Sequence, residues 1–470
     1  MRCCLIFLLF ASSTSAEILR VPGDHPSIQA ALEVASPGTM VKVEPGTYKE
    51  RIVLTPGVIL QSLKGAEMTI IDGSAGPAER AGVTMAENAT LIGFTVTGVG
   101  RYDDEKWQMS WKSQGEGQDH DHIGEFGTPA IAVEDVTCRV ISNVVHHNGF
   151  TGIAIRGSNA FPVVEHNTCY RNMGGGIGVM QRAGGQIQYN TCYENFFAGI
   201  GHDNSSPGVV SNTCYGNIRA GIGISEGATP LVRDNRCYRN RRAGIGIRTG
   251  VSTHPRVIGN HCFENGMAGI GVKDDARAWI EKNVCYSNKL AGIGARAGAI
   301  IHVHENKSYG NKASGIGLGV GGGEATITGN VISSNQTVEV GIQSGWNVKL
   351  EGNDLKGGSG LPPVVMAFED TKVMLSENRI AGRGVAGVRV AGDVFIENNH
   401  FDGLSIRKGG PPHFGVWALE GAKVRVVNNR FTRWRHGMVA NGAEVVFDRN
   451  MITDFHQHAV LVDGKPKDSW

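Results

Sequence analysis

Four side chains able to move protons or hold charge follow one another at nearly even intervals: Asp203, Glu226, Arg248 and Lys273, each 22 to 25 residues from the last. Acids and cations brought together suit acid–base work on a polar substrate. A base such as Lys273 or Arg248 takes a proton from carbon, while a neighbouring cation offsets the negative charge that develops. Asp203 and Glu226 are also candidates for a carboxyl pair, which in retaining glycoside hydrolysis stands about 5 Å apart and in inverting hydrolysis roughly 6.5–9.5 Å apart. Arg156, Arg296 and Asp274 share the same rhythm and are candidates for substrate contact. Trp107 and Trp111 offer rings for stacking on sugars. They belong to a polar stretch that also carries Asp119-His120-Asp121-His122. Four adjacent residues cannot all aim at one ion, but alternation allows a pair, His120 and His122, to ligate a divalent metal. A solvated surface loop is the competing reading of that run. The acids are also of the kind that bind a divalent cation such as calcium.

The spacing has a cause. Asn143, Asn167, Asn190, Asn212, Asn235, Asn260, Asn283, Asn306 and Asn330 mark a repeat, and a second Asn follows each by five residues, from Asn148 to Asn335. Between the two sits a small residue, Cys in the six repeats from Cys169 to Cys285. A Gly-Ile-Gly-aliphatic tetrad comes next, as in 176–179, 221–224, 244–247 and 269–272. Apolar and bare positions alternate with period two, which is the signature of strands. A repeat of this length, so rich in Gly and Asn, leaves no room for a helix. It reads as three short strands joined by tight turns, stacked coil on coil about 4.8 Å apart. Asn suits the bends, because it tolerates left-handed backbone and bonds through its own amide. Stacked amides also bond to the equivalent amide one coil away.

In this arrangement Ile and Cys fill the core, and the second Gly of each tetrad faces out. The first Gly is expected to add a second bare column beside it. The outer face becomes a trough of backbone, with Arg156, Asp203, Arg248, Lys273 and Arg296 on its rim. Such a floor suits a long polar chain, the cations holding uronate carboxylates. The competing reading is that outward Gly only allows flat coils or admits a covering loop, and that the charges are solvated. The ring column from Tyr170 to Tyr309 also faces outward, as a stabilising stack or a second sugar platform.

The repeated NxCYxN…GIGI phrases resemble the right-handed parallel β-helix proteins of the pectin-lyase-like superfamily, in the repeat class of carbohydrate-binding and sugar-hydrolysis domains. The stretch DHPSIQAALEVASPGTMVKVEPGTYKERIVL (24–54) is similar to that family's N-terminal cap, with Ile28, Ala31, Leu32 and Val34 on one helix face. The resemblance implies an all-β, single-stranded right-handed β-helix of about fifteen coils, three short strands to a coil. Within it the ranges are 17–98 for the cap and first coils, 99–126 for an inserted loop, 127–345 for the regular repeats and 346–470 for irregular coils. It also implies that loops flanking the first sheet build a substrate cleft, and that a polysaccharide or cell-envelope glycan, most of all an acidic one, is the partner. Lyase, hydrolase and epimerase chemistry all fall within that expectation. The acid-and-His motif of alginate C5-epimerases resembles the DHDH run only in outline, so no residue is carried over. The alternative is a non-catalytic β-helix, since the periplasmic family that matures the copper sites of nitrous-oxide reductase has similar repeats.

Composition narrows the field. The 45 Lys+Arg and 44 Asp+Glu nearly cancel, which argues against a nucleic-acid or anionic-membrane surface. No nucleotide loop, HExxH or GxSxG motif is present. Residues 1–16 read as a secretory signal, with Arg2, an apolar run from Cys3 to Phe10 and a small-residue cleavage site at Ala16. No run is long enough to span a bilayer, so the expected location is secreted or periplasmic. Six of the seven cysteines beyond residue 16 share one column. Parallel stacked side chains rarely reach disulfide geometry, so buried free thiols are expected, with bridges or a thiolate metal site as the alternatives.

Overall fold

The computed structural model describes residues 17–115, 118, 127–358, 360–407 and 409–467. The leader-like residues 1–16, and His120 and His122, lie outside the described residues.

Each coil contributes one strand to each of three sheets. In one coil these are Val163–Glu165, Thr168–Tyr170 and Ile177–Met180; in the next they are Gln186–Gln188, Thr191–Tyr193 and Ile200–Asp203. Equivalent strands pair in parallel and in register, Cys169 with Cys192 and Ile177 with Ile200. Among the described residues, the closing pair Val460–Val462 with Lys465–Pro466 is the antiparallel exception. The sheet that contains Val163–Glu165 holds 18 strands, from Ile18–Val21 to Glu444–Asp448. The solenoid therefore has more coils than the fifteen expected from the repeat. Helix α1 (Ile28–Val34) plugs the N-terminal end with Ile28, Ala31 and Leu32, and Ser27 Oγ caps it by accepting from Ala30 N.

The core is a set of columns. Ile, Val and Leu from all three sheets fill it, and the seven cysteines beyond residue 16 are buried free thiols, Cys169 to Cys285 stacking coil on coil. Outside the same sheet, rings stack face to face from His146 through Tyr170, Tyr193 and Tyr215 to Tyr309, with centroids 4.8–5.2 Å apart. Their faces are spent on one another, which favours a stabilising stack over a sugar platform.

Two amide ladders run along the solenoid. In the longer one every Asn Nδ2 from Asn143 to Asn429 donates to the Oδ1 of the Asn one coil on, ending at Asn450. The asparagines themselves do not take up left-handed backbone. That conformation falls on the residue before each of them, for example Ser142, His166, Tyr189, His147, Arg171 and Glu194, all with φ between 49° and 58°. The preceding residue makes the bend, and the Asn is left to turn its amide inward, where buried backbone needs partners.

The shorter ladder, from Asn148 to Asn335, ends on a carboxyl group: Asn335 Nδ2 donates to Glu339, which is 1% exposed. Burial pushes the Glu339 carboxyl up to about 7, against hydrogen bonds from Asn335 that pull it down. The folded chain thus binds a proton that the unfolded chain, titrating near 4.5, releases earlier. The contribution of Glu339 to stability is fullest below pH 4.5 and is lost as the pH rises to about 7, by about 3 kcal/mol at about 1.4 kcal/mol per unit. Glu339→Gln keeps an acceptor for Asn335 but carries no charge. It should match the parent at pH 4.5 and exceed it in urea midpoint at pH 8. Equal midpoints at both pH values would remove Glu339 as the source of pH dependence.

Candidate functional site

The sheet of Gly-Ile-Gly strands carries a groove of about 820 Å³ on its outer face. The floor is the second Gly of each tetrad, stacked in register from Gly178 through Gly201, Gly223, Gly246, Gly271 and Gly294 to Gly341. The first Gly does not join it. A Cβ on Gly244 would lie 2.6 Å from Gly269 O and 2.8 Å from Asn265 Nδ2, so that column points inward at the corner, against the next coil and the amide ladder. The second small column of the floor is instead the residue before the tetrad, Ala198, Ala220, Ala243, Ala268 and Ala291. Reading the tetrad alone had concealed it.

The two glycines therefore have different reasons. The first is demanded by packing. The second is not, over the middle of the groove: a Cβ would meet nothing within 4 Å on Gly201, and nothing nearer than Ala198 Cβ at 3.5 Å on Gly223, Ala220 Cβ at 3.6 Å on Gly246, Ala β-carbons at 3.9 Å on Gly271 and Ala268 Cβ at 3.5 Å on Gly294. At the ends, by contrast, Thr151 comes within 3.3 Å on Gly178, Ser314 Oγ within 2.5 Å on Gly317 and Val338 within 3.1 Å on Gly341. Glycine inside a strand costs about 0.5–1 kcal/mol relative to alanine. From Gly201 to Gly294, coil after coil bears that cost with no steric need within the chain.

The walls are charged. Arg219, Arg242, Arg248, Lys273 and Arg296 line the groove, against Asp203 as the one carboxylate among the described lining residues. Asp203, which closes the strand Ile200–Asp203, sits opposite Ser225 in register. Burial, with Arg242 nearby, lowers the Arg248 guanidinium from its ordinary value, while Asp274 and Glu226 act from farther along the turns in the opposite sense. Burial lowers Arg242 as well. Lys273 Nζ lies 2.6 Å from Asp274 Oδ2. Glu226 and Asp274 are left-handed turn residues beyond the lining, with φ of 55° and 57°. Arg156 lies a coil outside it, near Glu134 at 3.6 Å. The groove thus brings together Asp203, Arg248, Lys273 and Arg296, adds Arg219 and Arg242, and leaves Glu226, Asp274 and Arg156 at its margins. The added pair was hidden because it belongs to the turn before the tetrad.

The inserted stretch is no simple loop. Helix α2 (Asp104–Lys112) begins at Asp103, whose Oδ1 accepts from Lys106 N. Trp107 is 3% exposed among Met173, Phe196 and Ile218, and its Nε1 donates to Glu194 O at 2.8 Å. It stacks on Trp111 and lies under the Arg171 guanidinium. Trp107 is therefore an anchor and not a sugar platform, because burying its ring is what holds the helix on the solenoid. Trp111 is half-buried, with Arg241 over its ring at 4.8 Å. The insert also reaches the groove wall: Arg219 Nε donates to Gln118 Oε1 at 3.0 Å, and Arg242 donates to Gly115 O.

His202 occupies the strand slot that Val179 and Ile224 fill in adjacent coils. It is 3% exposed, and Nδ1 bonds to Gly223 O at 2.9 Å. Burial pushes the imidazole down to about 4, so it is a neutral core-edge ring at physiological pH. Its Nε2 has no hydrogen-bond partner among the described residues.

These features define a parallel β-helix with a long, open, cation-walled groove. The family model described as "Right handed beta helix region" matches residues 120–261 and 212–355, together half of the chain. The protein belongs to that family. No curated protein matches its sequence. Among solved structures it is similar to the A-module of mannuronan C-5 epimerase AlgE4 of Azotobacter vinelandii, at 16% identity over 80% of this chain and 90% of that one, with a TM-score of 0.39. It is also similar to the periplasmic alginate epimerase AlgG, at 14% identity over 70% and 81%, TM-score 0.43. A third is the catalytic unit of the GH87 α-1,3-glucanase of Streptomyces thermodiastaticus strain HF3-3, at 13% identity over 78% and 69%, TM-score 0.46. Among the described residues, no helix is long and apolar enough to cross a membrane.

Proposed function

We propose that this is an exported β-helix protein that binds or processes an acidic polysaccharide along the glycine-floored groove. The observation that carries the reading is the floor itself. The glycines from Gly201 to Gly294, which the coil does not need, leave room for something laid along them, and a sugar chain in van der Waals contact with backbone is such an object. The wall charges favour an anionic chain, since five cations line the groove against Asp203, and even with Lys273 paired to Asp274 at the margin the cations are in excess. The leader-like residues 1–16 support an address outside the cytoplasm.

Asp203, Arg248 and Lys273 are the groups we assign to the reacting sugar, with Glu226 at the margin. One of Arg248 and Lys273, in its unprotonated form, or Asp203 takes the proton from C5 while a protonated cation counters the uronate carboxylate. An epimerase then returns a proton to the other face of C5, and a lyase forms the C4–C5 double bond as the O4-linked sugar leaves with a proton. A two-carboxyl hydrolase is less well served, because Glu226 stands outside the lining. That placement also keeps a non-catalytic binder in view, distinguished by turnover.

The test is a panel of uronic-acid and neutral glycans, read by titration for binding and by unsaturated product and reducing ends for turnover. Arg248→Gln should weaken binding of an oligouronate about 10- to 100-fold, the equivalent of ~1.5–3 kcal/mol for charged hydrogen bonds. Asp203→Asn should keep the fold and lose turnover. Undiminished turnover in Asp203→Asn would reject that residue, and silence of the native protein across the whole panel would reject the glycan reading.

A further inference from the structure

The floor does not continue along the whole solenoid. Towards the N-terminus the same register passes from Gly178 to Ala154 and Ala132. These two are 1% and 4% exposed, so the floor there is covered. Towards the C-terminus the register runs from Gly341 to Met366, Arg389 and Trp417. Backbone gives way within one coil to large side chains, all partly exposed. Met366 and Phe368 are the last residues to line the groove. Beyond them Arg389 lies over the Trp417 ring at 5.6 Å, and Phe414 meets the same ring edge-on at 5.8 Å.

We infer that the groove is bounded at both ends and holds a finite acidic oligosaccharide or a chain terminus, with the Met366–Arg389–Trp417 shelf receiving the terminal residue. The inference rests on the glycan reading and specifies its substrate. The bare floor from Gly178 to Gly341 spans seven coil steps, about 34 Å at about 4.8 Å each. A polymer lying across it would have to climb the shelf at one end and pass under the cover at the other. A chain end meets neither obstacle. An indole beside a guanidinium suits a terminal uronate, the ring taking the sugar's apolar face and the cation its carboxylate.

The experiment is a titration of the full-length protein with a size series of oligouronates and the parent polymer, compared at equal mass. Oligomers carry more ends per gram and should bind at least tenfold better than polymer. A bulky fluorophore on the buttressed end should cost at least tenfold, and Trp417→Ala should both weaken the unlabelled oligomer and relieve most of that penalty. Equal binding per gram, with both labelled ends tolerated and Trp417→Ala without effect, overturns the bounded groove. The broader reading survives that outcome if Gly246→Leu still abolishes binding. If the native protein binds no member of the series, both fall together.

Discussion

Gly246→Leu should fold as the parent does and lose at least about 100-fold in affinity for an acidic oligosaccharide, whereas Gly244→Ala, two residues away, should lose stability first. The pair separates the two columns of the tetrad. On Gly246 a side chain enters open space, its Cβ no nearer than 3.6 Å to Ala220. A leucine there rises from the floor where we place the sugar, and it improves strand propensity. On Gly244 even a methyl group lies 2.6 Å from the carbonyl of Gly269, and the coils must part to admit it. Overpacking of that kind costs about 1–3 kcal/mol or more. Circular dichroism and urea titration report the fold, and calorimetry with the oligosaccharide reports the groove. Retention of affinity in Gly246→Leu would show that nothing lies on the floor at that coil.

The second large effect concerns the amide ladder. Asn217 accepts from both Asn195 N and Asn195 Nδ2, and donates to Cys192 O and Asn240 Oδ1. Asn217→Ala removes four hydrogen bonds: Asn195 N and Cys192 O lose this partner, while Asn195 Nδ2 keeps Cys169 O and Asn240 Oδ1 keeps Asn217 N. At about 1–3 kcal/mol for each buried group left unpaired, we expect a loss of about 2–6 kcal/mol. The form of the transition should change as well. A solenoid is stable through nearest-neighbour interfaces, and a weak coil in mid-stack divides it into halves that unfold separately. Denaturant unfolding should therefore turn from one step into two. A single transition displaced by less than about 1 kcal/mol would mean that the ladder is not a principal source of stability.

The regular coils were readable because their side chains obey a strict period. Cys, Ile and the two asparagines recur at fixed places, and each place has one physical role. The coil number was underestimated at the N-terminal end, where the strands Ile18–Val21, Met40–Val43, Ile59–Ser62 and Thr90–Ile92 precede the first ladder residue, Asn143, and carry neither Cys nor the tetrad. Towards the C-terminus the ladder interval stretches to 30, from Asn399 to Asn429, and the strands of that same sheet lengthen, as in Trp346–Glu351 and Asp393–Glu397. The asparagine amides were foreseen but the backbone bends were misplaced by one residue, since Ser, His, Tyr, Glu and Arg all serve at the bend and leave no compositional trace. Helix α2 escaped notice for a related reason. Its stability comes from Trp107 docking on residues 66 or more positions away, Met173 and Phe196 among them, not from a stripe of its own. At the site, Asp203, Arg248, Lys273 and Arg296 were identified from their place after the tetrad. Arg219 and Arg242 were not, because only the three-dimensional turn carries them to the opposite wall.

In-register stacking makes the groove a ruler. Each coil adds one rung of floor and one rim position, and nothing in a coil depends on how many others precede it. Duplicating a single 23-residue unit in the middle of the stack would lengthen the measured span by one rung while leaving the cover and the shelf untouched. If the groove holds the oligosaccharide we propose, a lineage would retune its preferred length by counting units in this way, without altering any residue of the remaining floor.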